Sequence, residues 1–147
     1  MSVIAWDGYT IAADKQATVA GLRVTTTKLR RICRPDCIPE VIGYTGDQDS
    51  GMMMAKWYED GADPAQFPEC QKGDDWSRLT VADKYGVRIY ERQPVAVKVE
   101  DLFAAWGSGR DFAMAAMHLG QSARDAVVVA SQYAEGCGRG VDSFDLT

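Results

Sequence analysis

Four cysteines and one histidine are the soft metal-binding side chains available to this 147-residue chain. Cys33 and Cys37 have the spacing of half a metal site, but Cys70, Cys137 and His118 are scattered and offer no second pair to close a tetrahedral set. No bound metal is expected, and the thiols read as free cysteines rather than as a disulfide framework. A second chemistry-bearing arrangement lies at the start of the sequence. Residues 2–6 and 9–13 are β-prone runs separated by Asp7-Gly8, a turn suited to a two-residue type I′ hairpin. Pairing Trp6 with Tyr9 sets Ile4 opposite Ile11 and Ser2 opposite Ala13, which carries a hydroxyl to the neighbourhood of the Asp14 carboxylate.

The elements around that hairpin follow from periodicity. Residues 19–32 form a second extended region with a turn at Gly21, and Arg34-Pro35-Asp36 turns the chain again. Residues 41–45 predict a buried strand, and 47–60 a helix stopped by Gly61, with the methionines at 52, 53 and 54 read as core filler. Residues 61–77 have no sustained period and read as a long loop. A meander follows over 79–84, 86–90 and 95–99. Beyond Gly107-Ser108-Gly109, one helix is marked by Phe112, Ala115, Ala116 and Leu119, and a second by Ala123, Val127, Ala130 and Ala134. A last extended segment spans 141–146. The order of strands, helix, strands, two helices and strand fits two stacked antiparallel sheets with helices outside, and equally an ordinary α+β fold. Length favours a single domain over residues 1–147.

Charge excludes some functions. A formal net charge of -5 with mixed signs argues against nucleic acid as a ligand, since phosphate binding needs clustered Lys and Arg. No apolar run reaches the ~20 residues of a bilayer span, so no membrane association and a cytoplasmic location are expected.

Four blocks carry a resemblance: residues 11–18 (IAADKQAT), 28–32 (KLRRI), 41–46 (VIGYTG) and 106–109 (WGSG). In that order and spacing the chain resembles the proteasome β-subunit family, most of all the HslV-type peptidase. The resemblance implies an α+β fold of the N-terminal nucleophile (Ntn) hydrolase type, a four-layer αββα sandwich of two antiparallel sheets flanked by helices. Between residues 47 and 78 one helix usual in the family is missing. Function follows by the same resemblance: a threonine-peptidase-like amide hydrolase with Ser as nucleophile, acting on peptides inside a homo-oligomeric ring, with an ATP-dependent unfoldase as partner and no cofactor.

The family's nucleophile is the first residue of the mature chain, matched here by Ser2 once Met1 is removed. A serine hydroxyl needs a base within hydrogen-bond reach, and an α-amino group, with an ordinary pKa of ~7.7–8.0, suits that task near neutral pH. The resemblance assigns Lys28 to steady charge on the nucleophile, Asp14 to hold Lys28, Ser108 to assist proton movement, and the backbone N–H of Gly46 to meet the oxyanion. Tyr44 and Gln48 fall at the substrate pocket.

Taken singly, each has an ordinary reading: Ser2 as a terminal residue, Asp14 as a turn residue, Lys28 as a solvated charge, Gly46 as a loop glycine and Ser108 as a helix N-cap. The sequence also departs from the family. Ser stands in place of the usual Thr, without the methyl that restricts its rotamer. The late acidic and serine pair has no clear counterpart; the stretch 136–140 (GCGRG) stands there, with Glu135, Asp142 and Ser143 nearby. These departures keep two alternatives open, a catalytically inactive proteasome-like assembly subunit and a small-molecule Ntn amidase.

Overall fold

The computed structural model describes residues 2–147; Met1, on whose removal the nucleophile assignment turns, lies outside the described residues. In chain order the strands are β1 (Val3–Trp6), β2 (Thr10–Asp14), β3 (Gln16–Val19), β4 (Leu22–Thr25), β5 (Arg30–Ile32), β6 (Glu40–Gly46), β7 (Ser77–Asp83), β8 (Gly86–Tyr90), β9 (Val97–Val99), β10 (Ala104–Gly107) and β11 (Val141–Asp145). The α-helices are α1 (Gln48–Glu59), α2 (Arg110–His118) and α3 (Ala123–Tyr133). One antiparallel sheet has the order β10-β1-β2-β11, a second β5-β6-β7-β8-β9, and β3-β4 forms a separate hairpin.

Apolar residues on β1 and β2 alternate between two cores. Val3, Ala5 and Ala12 pack against Ala113, Met117, Ala126 and Val127 of α2 and α3. Ile4, Trp6, Ile11 and Ala13 point the other way, into a cluster with Val41, Ala82 and Val87 of the second sheet. On the far side of that sheet, Met54, Ala55, Trp57 and Tyr58 of α1 bury against Ile42, Tyr44, Leu79 and Val81. The anchoring of α1 is local: Asp47 caps its first turn by accepting from Ser50 N at 3.0 Å.

The structure corrects the expected hairpin register. Trp6 pairs with Ile11 and Ile4 with Ala13, a shift of two residues from the pairing of Trp6 with Tyr9. The cause is Asp7, whose Oδ1 accepts from the N–H groups of both Tyr9 and Thr10 at 2.9 and 2.8 Å and places Gly8-Tyr9 at the tip. Because side chains alternate with period two, a shift of two leaves every residue on its expected face.

Three smaller expectations also change. Of the methionine triplet only Met54 is core; Met52 and Met53 are exposed. Helix α2 is turned by about one residue, burying Ala113, Ala116 and Met117 while Phe112 and Leu119 face outward, Phe112 stacked on Tyr133. The 61–77 segment contains two 3-10 turns, Pro64–Gln66 and Glu69–Lys72, and no α-helix. It is pinned by Gln71, fully buried, which donates to the carbonyls of Ser77 and Glu91 and accepts from Ser77 N. Strand β10 was not anticipated at all.

Candidate active site

The site forms at the start of β1, beside the end of β10. Antiparallel pairing puts Val3 opposite Gly107 at the end of β10, so the Gly107-Ser108-Gly109 turn wraps directly around Ser2. Ser2 N donates to Ser108 Oγ at 3.2 Å, and the Ser2 carbonyl accepts from Gly109 N at 3.2 Å and from the Ser108 hydroxyl at 3.4 Å. Gly107 has φ +95°, and a Cβ there would collide with the Ser2 carbonyl. Glycine is therefore required for backbone conformation and for space.

Asp14 ends β2 and is fully buried. Its Oδ1 accepts from Val3 N at 3.1 Å and from Lys28 Nζ at 2.6 Å; its Oδ2 accepts from Gly138 N at 3.0 Å and Gln16 N at 3.3 Å. One carboxylate thus ties together β1, β2, the segment before β5 and the loop after α3. Lys28 is only 4% exposed. Burial pulls its ammonium below the ordinary lysine value, and the Asp14 charge opposes that pull.

The opposite wall comes from the end of β6. Gly46 has φ +112°, and a Cβ there would lie 2.8 Å from the Trp76 carbonyl. Tyr44 and Gln48 flank it, with Gln48 Nε2 donating to Tyr44 Oη at 2.8 Å. The ring of Tyr44 lies against Gly51 of α1 so closely that any Cβ at 51 would clash, which accounts for a glycine inside that helix. A small cavity is lined by Ser2, Lys28, Tyr44, Gly46 and Gln48 together. On one side it adjoins a cleft of about 360 Å³ that also takes in Ser108, and on the other a cleft of about 400 Å³ beside Tyr44 and Gln48. All seven residues singled out in the sequence therefore meet in one region: five line the cavity, Asp14 stands behind Lys28, and Ser108 stands behind Ser2.

Sequence reading missed several neighbours. Cys137 is buried with its Sγ 4.0 Å from Ser108 Oγ. Burial and the nearby Asp14 charge raise its thiol above the ordinary value. Of the acidic and serine residues nearby in sequence, Glu135 accepts from Gln16 Nε2 through its backbone carbonyl, Asp142 pairs with Lys15 at 3.2 Å, and Ser143 accepts from Arg124 at 3.3 Å. Trp76, Arg78 and Arg110 line the 360 Å³ cleft. Nothing local marks them, since they reach the site from β7 and its entry and from the start of α2.

Among the described residues there is no cluster of His, Cys, Asp and Glu able to hold a metal ion, and no helix long and apolar enough to cross a membrane.

No protein-family model matches the chain, and no curated protein matches it. Solved structures do. BPH of Thiobacillus denitrificans in complex with epoxomicin aligns over 100% of both chains with a TM-score of 0.71 and 19% identity. A second structure of BPH from the same organism aligns over 99% of this chain and 98% of its own, with a TM-score of 0.69 and 19% identity. HslV from Trypanosoma brucei aligns over 97% of each chain, with a TM-score of 0.65 and 21% identity. The chain has the HslV-type fold along essentially its whole length.

Proposed function

We propose that this chain, built on the HslV-type fold, is a peptidase of the N-terminal nucleophile class whose nucleophile is Ser2. The observation that carries the reading is that Ser2, bonded to Ser108, shares a cavity with Lys28, which the buried Asp14 holds from behind. Cleavage of the peptide bond before Ser2 converts its nitrogen into an α-amine. That amine accepts the proton of Ser2 Oγ as the oxygen attacks the substrate carbonyl carbon. Ser108 Oγ, already bonded to Ser2 N, orients the amine and relays its proton. The Lys28 ammonium lowers the cost of negative charge at Oγ, and Asp14 keeps Lys28 charged in a buried setting that disfavours it. The Gly46 N–H stabilises the oxyanion, a contribution of ~3 kcal/mol for such donors. The proton then passes from the amine to the departing nitrogen, and a water repeats the sequence on the ester.

The packing of α2 and α3 on the first sheet, of that sheet on the second, and of α1 on the second sheet's far side supports the four-layer αββα sandwich expected of that class, with α1 unaccompanied by the second helix the family carries on that face. Tyr44 and Gln48 border the substrate pocket. By the same likeness the chain acts in the cytoplasm as a homo-oligomeric ring with an ATP-dependent unfoldase. One observation favours a second reading, an inactive assembly subunit: the loop after α3 brings Cys137 rather than a carboxylate to Ser108. Hydrolysis of unstructured peptides by the wild type and by Ser2→Ala separates the two. Loss of activity in the variant by a factor of at least ~10³ is expected, and equal rates rule out Ser2.

A further inference from the structure

We propose that the cleft beside Ser2 contains a carboxylate-binding subsite, formed by the guanidinium groups of Arg78 and Arg110 against the Trp76 indole, which selects substrates with an acidic group close to the scissile bond. Its link to cleavage rests on the peptidase reading above; its capacity to bind does not.

Both arginines line the cleft that also holds Ser2, Gly46 and Ser108, and among the described residues no carboxylate lines it. Arg78 sits on β7 directly opposite Thr45, the residue before Gly46. Its Nε is buried without a hydrogen-bond partner among the described residues. Its Nη2 forms a long, part-exposed ion pair with Glu91 Oε2 at 3.6 Å, a pairing of little strength, and its Cζ lies 6.0 Å from the Trp76 ring centroid. The Arg78 side chain is 28% exposed, so its terminal Nη groups, together with those of Arg110, can hold a carboxylate in the cleft, a ligand that guanidinium geometry fits.

Arg110 is the first residue of α2, where the helix dipole opposes a cation, so stability of the helix does not call for it. One of its nitrogens donates to the Gly107 carbonyl at 3.1 Å, which holds the side chain beside the turn that wraps Ser2. Its nearest carboxylate, Asp111, is 3.9 Å away and 92% exposed, a pairing of little strength.

The carboxylate has two sources, an acidic side chain within the substrate or the free C-terminus of a peptide, and one peptide panel distinguishes them. Calorimetric binding to Ser2→Ala protein, which is expected not to turn over, is measured for amide-capped peptides carrying Glu, Gln or Lys at successive positions. A neutral peptide ending in a free carboxylate is compared with its amide. One of the acidic forms is expected to bind at least ~10-fold tighter than its neutral match, as charge-assisted bonds do. That excess should fall towards one in Arg78→Gln and in Arg110→Gln, and persist in part in Arg78→Lys. Arg110 is 58% exposed, so its variant tests the subsite even where Arg78→Gln fails to fold. Equal affinity for Glu, Gln and Lys peptides and for the free and capped termini overturns the subsite. Acid-dependent binding in Ser2→Ala, together with no cleavage by the wild type, overturns the peptidase reading and leaves the subsite standing.

Discussion

Lys28 Nζ lies 2.6 Å from Asp14 Oδ1, and the two side chains are 3% and 0% exposed. The pair is unequal. Among the described residues Lys28 has Asp14 as its one carboxylate partner, whereas Asp14 also accepts from three backbone N–H groups. Asp14→Ala strands a buried ammonium and leaves three donors unpaired, so a loss near the upper end of ~3–5 kcal/mol is expected. Lys28→Met leaves a carboxylate still held by three N–H groups and should lose about half as much. The double variant should lose less than the sum of the singles. Urea unfolding of the three proteins checks this; equal losses for the single variants would contradict the asymmetry.

Gly107 and Gly120 have the same φ of +95°, but only Gly107 has a neighbour within 4 Å, the Ser2 backbone first among them. Both Ala variants bear the strain of a side chain in left-handed conformation, about 1–3 kcal/mol. Gly107→Ala adds a collision with the residue proposed as nucleophile. Its unfolding free energy should drop further than that of Gly120→Ala, and its activity should fall by ~10², the effect of displacing a reacting group by an ångström. Identical behaviour of the two variants would show that the close approach at Ser2 has no consequence.

Tyr58 bonds to both oxygens of Glu40 at 2.9 and 2.8 Å and accepts from Arg88 at 2.7 Å. Burial first, then its bond to Glu40, raises its phenol from 10.0 to about 12. Between those values the unfolded chain has lost the proton and the folded chain retains it. Stability is therefore fully present below pH ~10 and declines as pH rises towards ~12. Denaturant midpoints across pH 9–11.5 (about the span in which a phenol titrates) should fall in the wild type and fall less in Tyr58→Phe. Parallel curves would remove Tyr58 as the cause.

Cys33 and Cys37 are exposed, Cys70 is half-buried, and Cys137 is buried with its thiol pushed up. A thiol reagent at pH 8 should therefore label Cys33 and Cys37 fast and Cys137 only on the timescale of opening, since the thiolate is the reactive form. Peptide mapping over a time course checks the order. Early labelling of Cys137 would mean that the packing over its thiol opens readily.

Much of the fold was legible because it is locally encoded. The span of α1 follows from Asp47 at its cap and the apolar spacing up to Trp57 and Tyr58, and the β7-β8-β9 meander from its turn residues. The β1-β2 hairpin was read with the right faces and the wrong register, because Asp7 folds its own carboxylate over two N–H groups and lengthens the loop. Strand β10 escaped because four residues bounded by a positive-φ glycine carry no period of their own; its partner β1 defines it. The same limit applies to the site. Ser2, Asp14 and Lys28 lie within one short stretch of sequence, while Cys137, Arg78 and Arg110 come from separate elements and acquire meaning only when β6, β10 and the loop after α3 converge.

The claim on which the whole account depends is that Ser2 presents a free amine and a reactive hydroxyl on the same residue. Intact-mass spectrometry of the purified protein, before and after treatment with an epoxyketone that bonds to both groups at once, tests it directly. A chain beginning at Ser2 and a single adduct on that residue, absent from Ser2→Ala, are expected. A chain that keeps a residue before Ser2 and takes up no adduct would contradict it.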